Sequence, residues 1–237
     1  QATRATMDMD SWLRTFAFHS LGGNLDVYTV LEEKNLRLYV RPDNNKVVAL
    51  PWDLDHSWRN STSTALHGLD PSNLTKIINL AHNLRQFYGH LQDMINTTFN
   101  TSYVTHWAQS LGQTAGQNYS GHVTNVTQRA NFVTSELTRL APPVDFVITT
   151  AAPLNVGAAS TVAISGWGWI NVREIRLAGS SQALDTTWTV DDGTIYADTW
   201  STTIPVTSGT NPYTLEAYDF QGDLIGSSTI HVSSSTP

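Results

Sequence analysis

Val47-Val48-Ala49-Leu50-Pro51-Trp52-Asp53-Leu54-Asp55-His56 decides how the first half of the chain is read. A short apolar run stops at a proline, and two carboxylates follow it, one residue apart. In extended backbone residues i and i+2 face the same side, so Asp53 and Asp55 can converge on one spot. Like charges placed together repel unless a cation or a donor lies between them. Hard divalent ions such as Mg²⁺ take one or two carboxylates and leave positions for phosphate oxygens. The stretch therefore predicts either a strand-end metal site that handles phosphate, with Asp53 and Asp55 as ligands, or a loop whose two acids cap a following helix.

Immediately upstream lies the pattern of a hairpin. Leu36-Arg37-Leu38-Tyr39-Val40 alternates, Arg41-Pro42-Asp43-Asn44-Asn45 is rich in turn formers, and Lys46 to Leu50 returns. Further back, Trp12, Leu13, Phe16, Ala17 and Leu21 recur at helical spacing, with Asp8 or Asp10 as the N-cap and Gly22-Gly23 as the stop. Asn24-Leu25-Asp26 opens an irregular stretch that runs to Lys34. Downstream, residues 57–72 are polar and loop-like, and the texture then turns helical. Leu74 to Leu84 fits one helix, and Phe87 to Ile95 continues it or begins another. Tyr103 to Leu111 and Val123 to Leu140 fit two more, and Pro142-Pro143 ends the run.

After Val144 short apolar runs alternate with turn residues. They are Val162–Ile164, Ile170–Leu177, Thr187–Val190, Ile195–Tyr196, Thr202–Val206, Tyr213–Tyr218 and Ser228–Val232. Asp192-Gly193, Ser208-Gly209 and Gln221-Gly222-Asp223 punctuate them. This grammar predicts an immunoglobulin-like β-sandwich without the Cys-Trp-Cys signature. Trp167, Trp169, Trp188 and Trp200 are expected in its core or on a sheet face. Asp191, Asp192, Asp219 and Asp223 are turn formers that could also meet Ca²⁺. The fold class is thus α+β, a mostly helical domain with a β-hairpin over 1–141 and an all-β sandwich over 142–237.

Composition narrows the function classes. The net charge of −7 is uneven: residues 1–143 balance eleven acids with eleven bases, whereas 144–237 carry nine acids against Arg173 and Arg176. Neither half has the basic footprint of a nucleic-acid binder. No run is long and apolar enough to span a bilayer. With no cysteine, disulfides, thiol chemistry and Cys-ligated zinc are excluded. A chain low in Lys and rich in Thr, Ser and Asn suits an exported bacterial protein, secreted or on the cell surface. Six Asn-x-Ser/Thr sequons, at Asn60, Asn73, Asn96, Asn100, Asn118 and Asn125, follow from that composition or mark a glycosylated surface. The chain opens at Gln1 with the character of mid-sequence and reads as a mature or truncated piece.

Phosphoryl transfer needs an Asp for the substrate hydroxyl, a downstream Asn, and a strand-exit Asp that holds Mg²⁺ against the phosphates. Asp26, Asn35 and Asp53 occur in that order, although nine residues separate Asp26 from Asn35, more than in the Asp-x4-Asn catalytic loop. Asn24-Leu25-Asp26, Asn35-Leu36-Arg37-Leu38-Tyr39 and Leu50-Pro51-Trp52-Asp53-Leu54-Asp55 together resemble the spore-coat CotH family of atypical protein kinases. That family places Asn-Trp-Asp before Asn-Tyr-x-Leu-Tyr and Pro-Trp-Asp-x-Asp. The helix at Ser11-Trp12-Leu13-Arg14, the segment Asn83-Leu84-Arg85 through Phe99, and the helix Arg129 to Leu140 extend the likeness over about residues 7–141. The family's Trp is Leu25 here.

The resemblance implies a kinase C-lobe that uses ATP and Mg²⁺, with a protein Ser/Thr substrate. It implies that Asp26 is the catalytic residue, that Asn35 binds cofactor or orders the loop, and that Asp53 and Asp55 are metal ligands. No Gly-rich phosphate loop precedes Asp26, and none of residues 1–25 is a lysine. The 237 residues alone are therefore expected to be a C-terminal kinase portion with weak or absent activity. Two other readings compete: a non-catalytic surface or coat module whose sandwich binds a partner, and a metal-dependent hydrolase on Asp53 and Asp55, which lacks a third ligand at clear spacing.

Overall fold

The computed structural model describes residues 2–24, 26–27, 34–58, 60–67, 75–190 and 195–235. Leu25, Leu74, Asp191, Asp192 and Gly193 of the sequence reading lie outside the described residues, as does most of the stretch between Asp26 and Lys34. By its internal contacts the chain divides into two compact units, Gln1–Leu140 and Ala141–Pro237.

The first unit is built on one buried helix. A short helix α1 (Ala2–Thr6) leads to α2 (Met9–Gly22). Asp8 caps α2 by accepting from Ser11 N at 3.3 Å, and Gly23 ends it in the left-handed region at φ 58°. Met9, Trp12, Leu13, Phe16, Ala17 and Leu21 are all buried. Each fully buried large apolar side chain contributes roughly 1.5–3 kcal/mol of transfer free energy, so this stripe anchors the unit. It packs on α4 (Ala81–Thr97), which buries Leu84, Phe87, Tyr88, Leu91 and Met94. A four-residue helix α3 (Thr75–Ile78) precedes α4. Helix α6 (Ser120–Leu140) adds Val126, Ala130, Val133 and Leu137. Helix α5 (Thr101–Ala115) differs from the rest, because Gly112 is its one buried residue.

The hairpin forms where the sequence placed it. Strands β1 (Arg37–Val40) and β2 (Val47–Leu50) pair antiparallel, with Arg37 opposite Leu50 and Val40 opposite Val47. The return strand is fastened to α2 through its backbone. Trp12 Nε1 donates to Val47 O at 2.8 Å, and Thr15 Oγ1 donates to Ala49 O at 3.0 Å. Strand β1, in contrast, is exposed along its whole length.

The second unit holds two four-stranded sheets. Their strands are β3 (Val147–Ile148), β4 (Leu154–Asn155), β5 (Thr161–Trp167), β6 (Glu174–Leu177), β7 (Thr186–Thr189), β8 (Thr199–Pro205), β9 (Gly209–Tyr218) and β10 (Leu224–Ser234). One sheet runs β3-β5-β8-β7 and the other β4-β10-β9-β6. In immunoglobulin terms these are A-B-E-D and C-F-G, with β4 an added strand beside the last one. The hydroxyl of Tyr213, early in β9, accepts from Thr207 N at 2.8 Å, the tyrosine corner of such sandwiches. Between the sheets lie Val162, Ile164, Ile175, Trp200, Ile204, Leu215, Ala217, Ile230 and Val232. This is the α+β combination that the sequence predicts.

Three details differ from the expected strands. Ile170 and Val172 are buried in a turn, and only Glu174–Leu177 of that run is extended. Ile195 and Tyr196 precede β8 as a bend, with Tyr196 buried and its hydroxyl donating to Pro142 O at 3.3 Å. The four tryptophans separate as well: Trp200 is fully buried, Trp169 and Trp188 are partly buried, and Trp167 is 45% exposed. Alternation explains the last contrast, since neighbouring residues of one strand face opposite ways. Asp219 acts as a turn former, its carboxylate accepting from Gln221 N and Asp223 N at 2.8 and 2.9 Å.

Candidate functional site

Two loops meet beyond the end of α2. The first follows Gly23 and carries Asn24 and Asp26. The second leaves β2 as Pro51-Trp52-Asp53 and closes into a 3₁₀ turn over Leu54–His56. Ser57 N donates to Leu54 O at 3.0 Å, and Trp58 N donates to Gly22 O at 2.8 Å, which returns the second loop to the end of α2.

Asn24 joins the two loops. It is 1% exposed. Its Nδ2 donates to Asp53 O at 3.1 Å, and its Oδ1 accepts from Asp26 N at 3.0 Å. A single buried amide thus fixes the backbone at both acids. Asn35 adds a second tie: its Nδ2 donates to Asp26 O at 2.7 Å and lies 3.3 Å from Asp26 Oδ2. Lys34 Nζ sits 2.6 Å from Asp26 Oδ1.

Four described non-glycine residues have left-handed backbone, Asn45 in the hairpin turn, Trp58, and two of the site. Asn35 and Asp53 adopt left-handed φ values of 58° and 55°. Asn and Asp tolerate that region better than other residues, yet each such residue costs about 1–3 kcal/mol. Strain of this kind persists where the surroundings over-determine it and clusters at functional sites.

The electrostatics of the two acids diverge. The Lys34 ammonium, chiefly through its hydrogen bond, holds the Asp26 carboxyl below its usual range, with the charges of Lys34 and His56 and the Asn35 amide helping. Asp53 moves the other way. Its hydrogen bond with Asp55 raises it most, followed by partial desolvation and the negative charges of Asp55 and Asp26. His56, whose Nε2 lies 3.8 Å from Asp55, partly offsets this. Asp26 is therefore an acceptor that stays ionised, and Asp53 belongs to a carboxylate pair short of positive charge.

The structure brings all four candidate residues of the sequence reading, Asp26, Asn35, Asp53 and Asp55, into one electrostatic neighbourhood. Among the described residues no three His, Asp or Glu side chains converge as a complete metal cage. Mg²⁺ is ordinarily held by one or two carboxylates plus substrate phosphates and waters, and the Asp53–Asp55 pair has that donor chemistry. The sequence reading left out Asn24 and Lys34. Asn24 stood in the quoted motif, and Lys34 is a lone base directly before Asn35, so both signals were present. Arg37, whose guanidinium carbon lies 4.2 Å from the centre of the Trp52 ring, was not foreseen. It steadies the loop just ahead of Asp53.

The family model described as "CotH kinase protein" matches residues 2–139. No curated protein matches. Among solved structures, the chain is similar to fibronectin(III)-like modules of CbhA from Clostridium thermocellum, at 14% identity. The match covers 38% of this chain and 96% of that one, with a TM-score of 0.25.

Proposed function

The chain belongs to the CotH kinase protein family, and from that premise we propose that its first unit carries the acid and metal side of a phosphotransfer site. On this reading the phosphoryl group passes from ATP to a protein Ser or Thr hydroxyl. Asp26 accepts the hydroxyl proton, and its low pKa keeps it ready to do so at neutral pH. Asn35 and Lys34 orient the Asp26 carboxylate. Asp53 and Asp55 would hold Mg²⁺, which supplies charge neutralisation for the phosphates when bound. Asn24 sets the spacing between the hydroxyl side and the metal side.

One observation supports the reading above the others. A loop acid and a strand-exit acid, far apart in the chain, are locked together by a buried amide while their pKa values are driven in opposite directions. Export to the cell surface agrees with the cysteine-free, Ser/Thr/Asn-rich composition. Among the described residues no helix is long and apolar enough to cross a membrane.

The test is transfer of labelled phosphate from Mg-ATP to Ser/Thr peptides by the full-length protein. Asp26→Asn is expected to lower the rate about 10²–10⁴-fold, the usual contribution of a general base. Asp53→Asn is expected to abolish the thermal stabilisation that Mg²⁺ with nucleotide confers on the wild type, since only a ligand bound to the folded state stabilises it. Residues 1–237 alone are expected to bind the metal–nucleotide and transfer slowly or not at all. Unchanged transfer in Asp26→Asn would reject Asp26 as the base, and no transfer by the wild type would leave the module as a surface scaffold.

A further inference from the structure

Away from the carboxylates, α6 carries a buried cation with no acid against it among the described residues. Arg129 is 3% exposed. Its Nη1 donates to Thr62 O at 3.1 Å and Thr64 O at 2.5 Å, and its Nη2 donates to Ser20 O at 3.0 Å. Its Nε is buried with no hydrogen-bond partner. Burial pushes the guanidinium down to about 10. Buried charges are ordinarily paired, because an uncompensated one is costly to remove from water.

Arg129 lines a small cavity together with Ser20, Asn60, Thr64 and His67. The cavity has a volume of about 20 Å³, which is room for one or two waters or a small ion. His67 brings a second unused group. Its Nε2 lies 3.3 Å from the Tyr88 hydroxyl, and its Nδ1 is buried without a partner. Burial raises Tyr88 to about 12 and lowers His67, so the phenol keeps its proton and the imidazole stays neutral. Two buried nitrogens without a hydrogen-bond partner among the described residues, one of them on a cation, thus belong to residues that line one cavity.

We propose that Tyr88 O–H donates to His67 Nε2, which puts the imidazole hydrogen on Nδ1, and that the cavity binds a single monoatomic anion of the chloride or bromide class, held by Arg129 Nε–H and His67 Nδ1–H. Size excludes phosphate and sulfate, and water would leave the guanidinium charge unbalanced. The ion would clasp the segment from Thr62 to His67 against α2 and α6. That segment continues the loop that leaves Asp55 and His56, so occupancy tightens the support behind the candidate site without touching it.

The test is thermal unfolding of the full chain at constant ionic strength, with gluconate exchanged for bromide, chloride or sulfate, alongside diffraction at the bromine edge from bromide-soaked crystals. A saturable rise in Tm with bromide and chloride but not with sulfate is expected, together with an anomalous peak beside Arg129. His67→Phe keeps a ring against Phe87 and Tyr88 but deletes the donor. It is expected to weaken the bromide midpoint about tenfold, the loss of one hydrogen bond to a charged group. An equal response to all salts, no response, or a cavity holding water without an anomalous peak would overturn the proposal.

Discussion

Asn24 carries both ends of its amide to backbone groups in two different loops, and it does so from a fully buried position. Asn24→Ala strips Asp26 N–H and Asp53 C=O of their partner at once. Leaving buried polar groups unsatisfied costs about 1–3 kcal/mol. Urea unfolding of the variant should show that loss, and the stabilisation by Mg²⁺ with nucleotide should weaken with it. An Asn24→Ala protein as stable as the wild type would mean that the two loops are held by something else. The contrast with Asp53 and Asp55 shows what the sequence made legible. Their i, i+2 spacing drew the eye as extended chain, yet Asp53 is left-handed and Asp55 lies in the 3₁₀ turn, so the two acids meet through a turn and not along a strand. A side chain that turns back to bond one backbone N–H and one distant C=O has no period, so Asn24 was readable only as a letter in a motif. The left-handed φ of Asn35 and Asp53 was equally invisible, because Asn and Asp occur in many turns that need no such value.

At the scale of elements, the sandwich depends on a place where a side chain is forbidden. Gly166 in β5 stands directly opposite Trp200 in β8. A Cβ at Gly166 would run into Val147 O and into the Trp200 ring, which is itself stacked on Phe146 at 5.4 Å. Overpacking a close-packed core costs up to about 3 kcal/mol, so Gly166→Ala should lower the stability of the second unit by that order. Tryptophan fluorescence during denaturation would register it, while α2 and α4 keep their hydrogen-exchange protection. The same strands show where sequence reading stopped. Alternation made parts of β5 and β8 legible, Val162–Ile164 and Thr202–Val206, while the strands themselves run over Thr161–Trp167 and Thr199–Pro205. Strands β3 and β4 have two residues each, too short for any period, and went unseen. Ile170 and Val172 look like strand residues because they are apolar, yet they are buried in a turn. In the first unit, the stripe of α2 was legible, with its cap left between Asp8 and Asp10, of which the helix uses Asp8. Nothing in the pattern of α5 said that it would bury only Gly112.

At the scale of the whole molecule, the two units should part company in acid. His19 in α2 is 1% exposed, and burial pushes its imidazole down to about 4. The folded first unit therefore holds His19 neutral where the unfolded chain would protonate it. The resulting stability is fully present above the ordinary histidine value near 6.5 and is lost as pH falls toward 4, for a total of about 3 kcal/mol. His67 and His82, also lowered by burial, act in the same direction. The one histidine in Ala141–Pro237, His231, lies exposed on β10. Thermal scans between pH 7 and 4 should show the first unit's transition sliding down while the second stays nearly fixed. Replacing His19 by Phe should flatten the first unit's slope. A common slope for both transitions would show that buried histidine does not govern the acid response. The sequence reading set its boundary at Pro142-Pro143, where helical periodicity ends. The titration was not legible, because a histidine on an apolar stripe looks the same in sequence whether it is wet or dry.

The short strand β4 runs parallel to β10, with Leu154 beside Val232 and Asn155 beside Ser233. Val156 N donates to Ser233 O at 3.0 Å, and Ser235 N donates to Gly157 O at 2.6 Å. Strands that lie parallel near the two ends of a module send the chain in at one pole and out at the other. Traction along the polypeptide then loads these bonds side by side in shear, so they must give way together instead of peeling singly. Pulled from its termini in a force spectrometer, the second unit should resist as a stiff link, and replacing Val156 by Pro, which removes one of those N–H groups, should lower its rupture force.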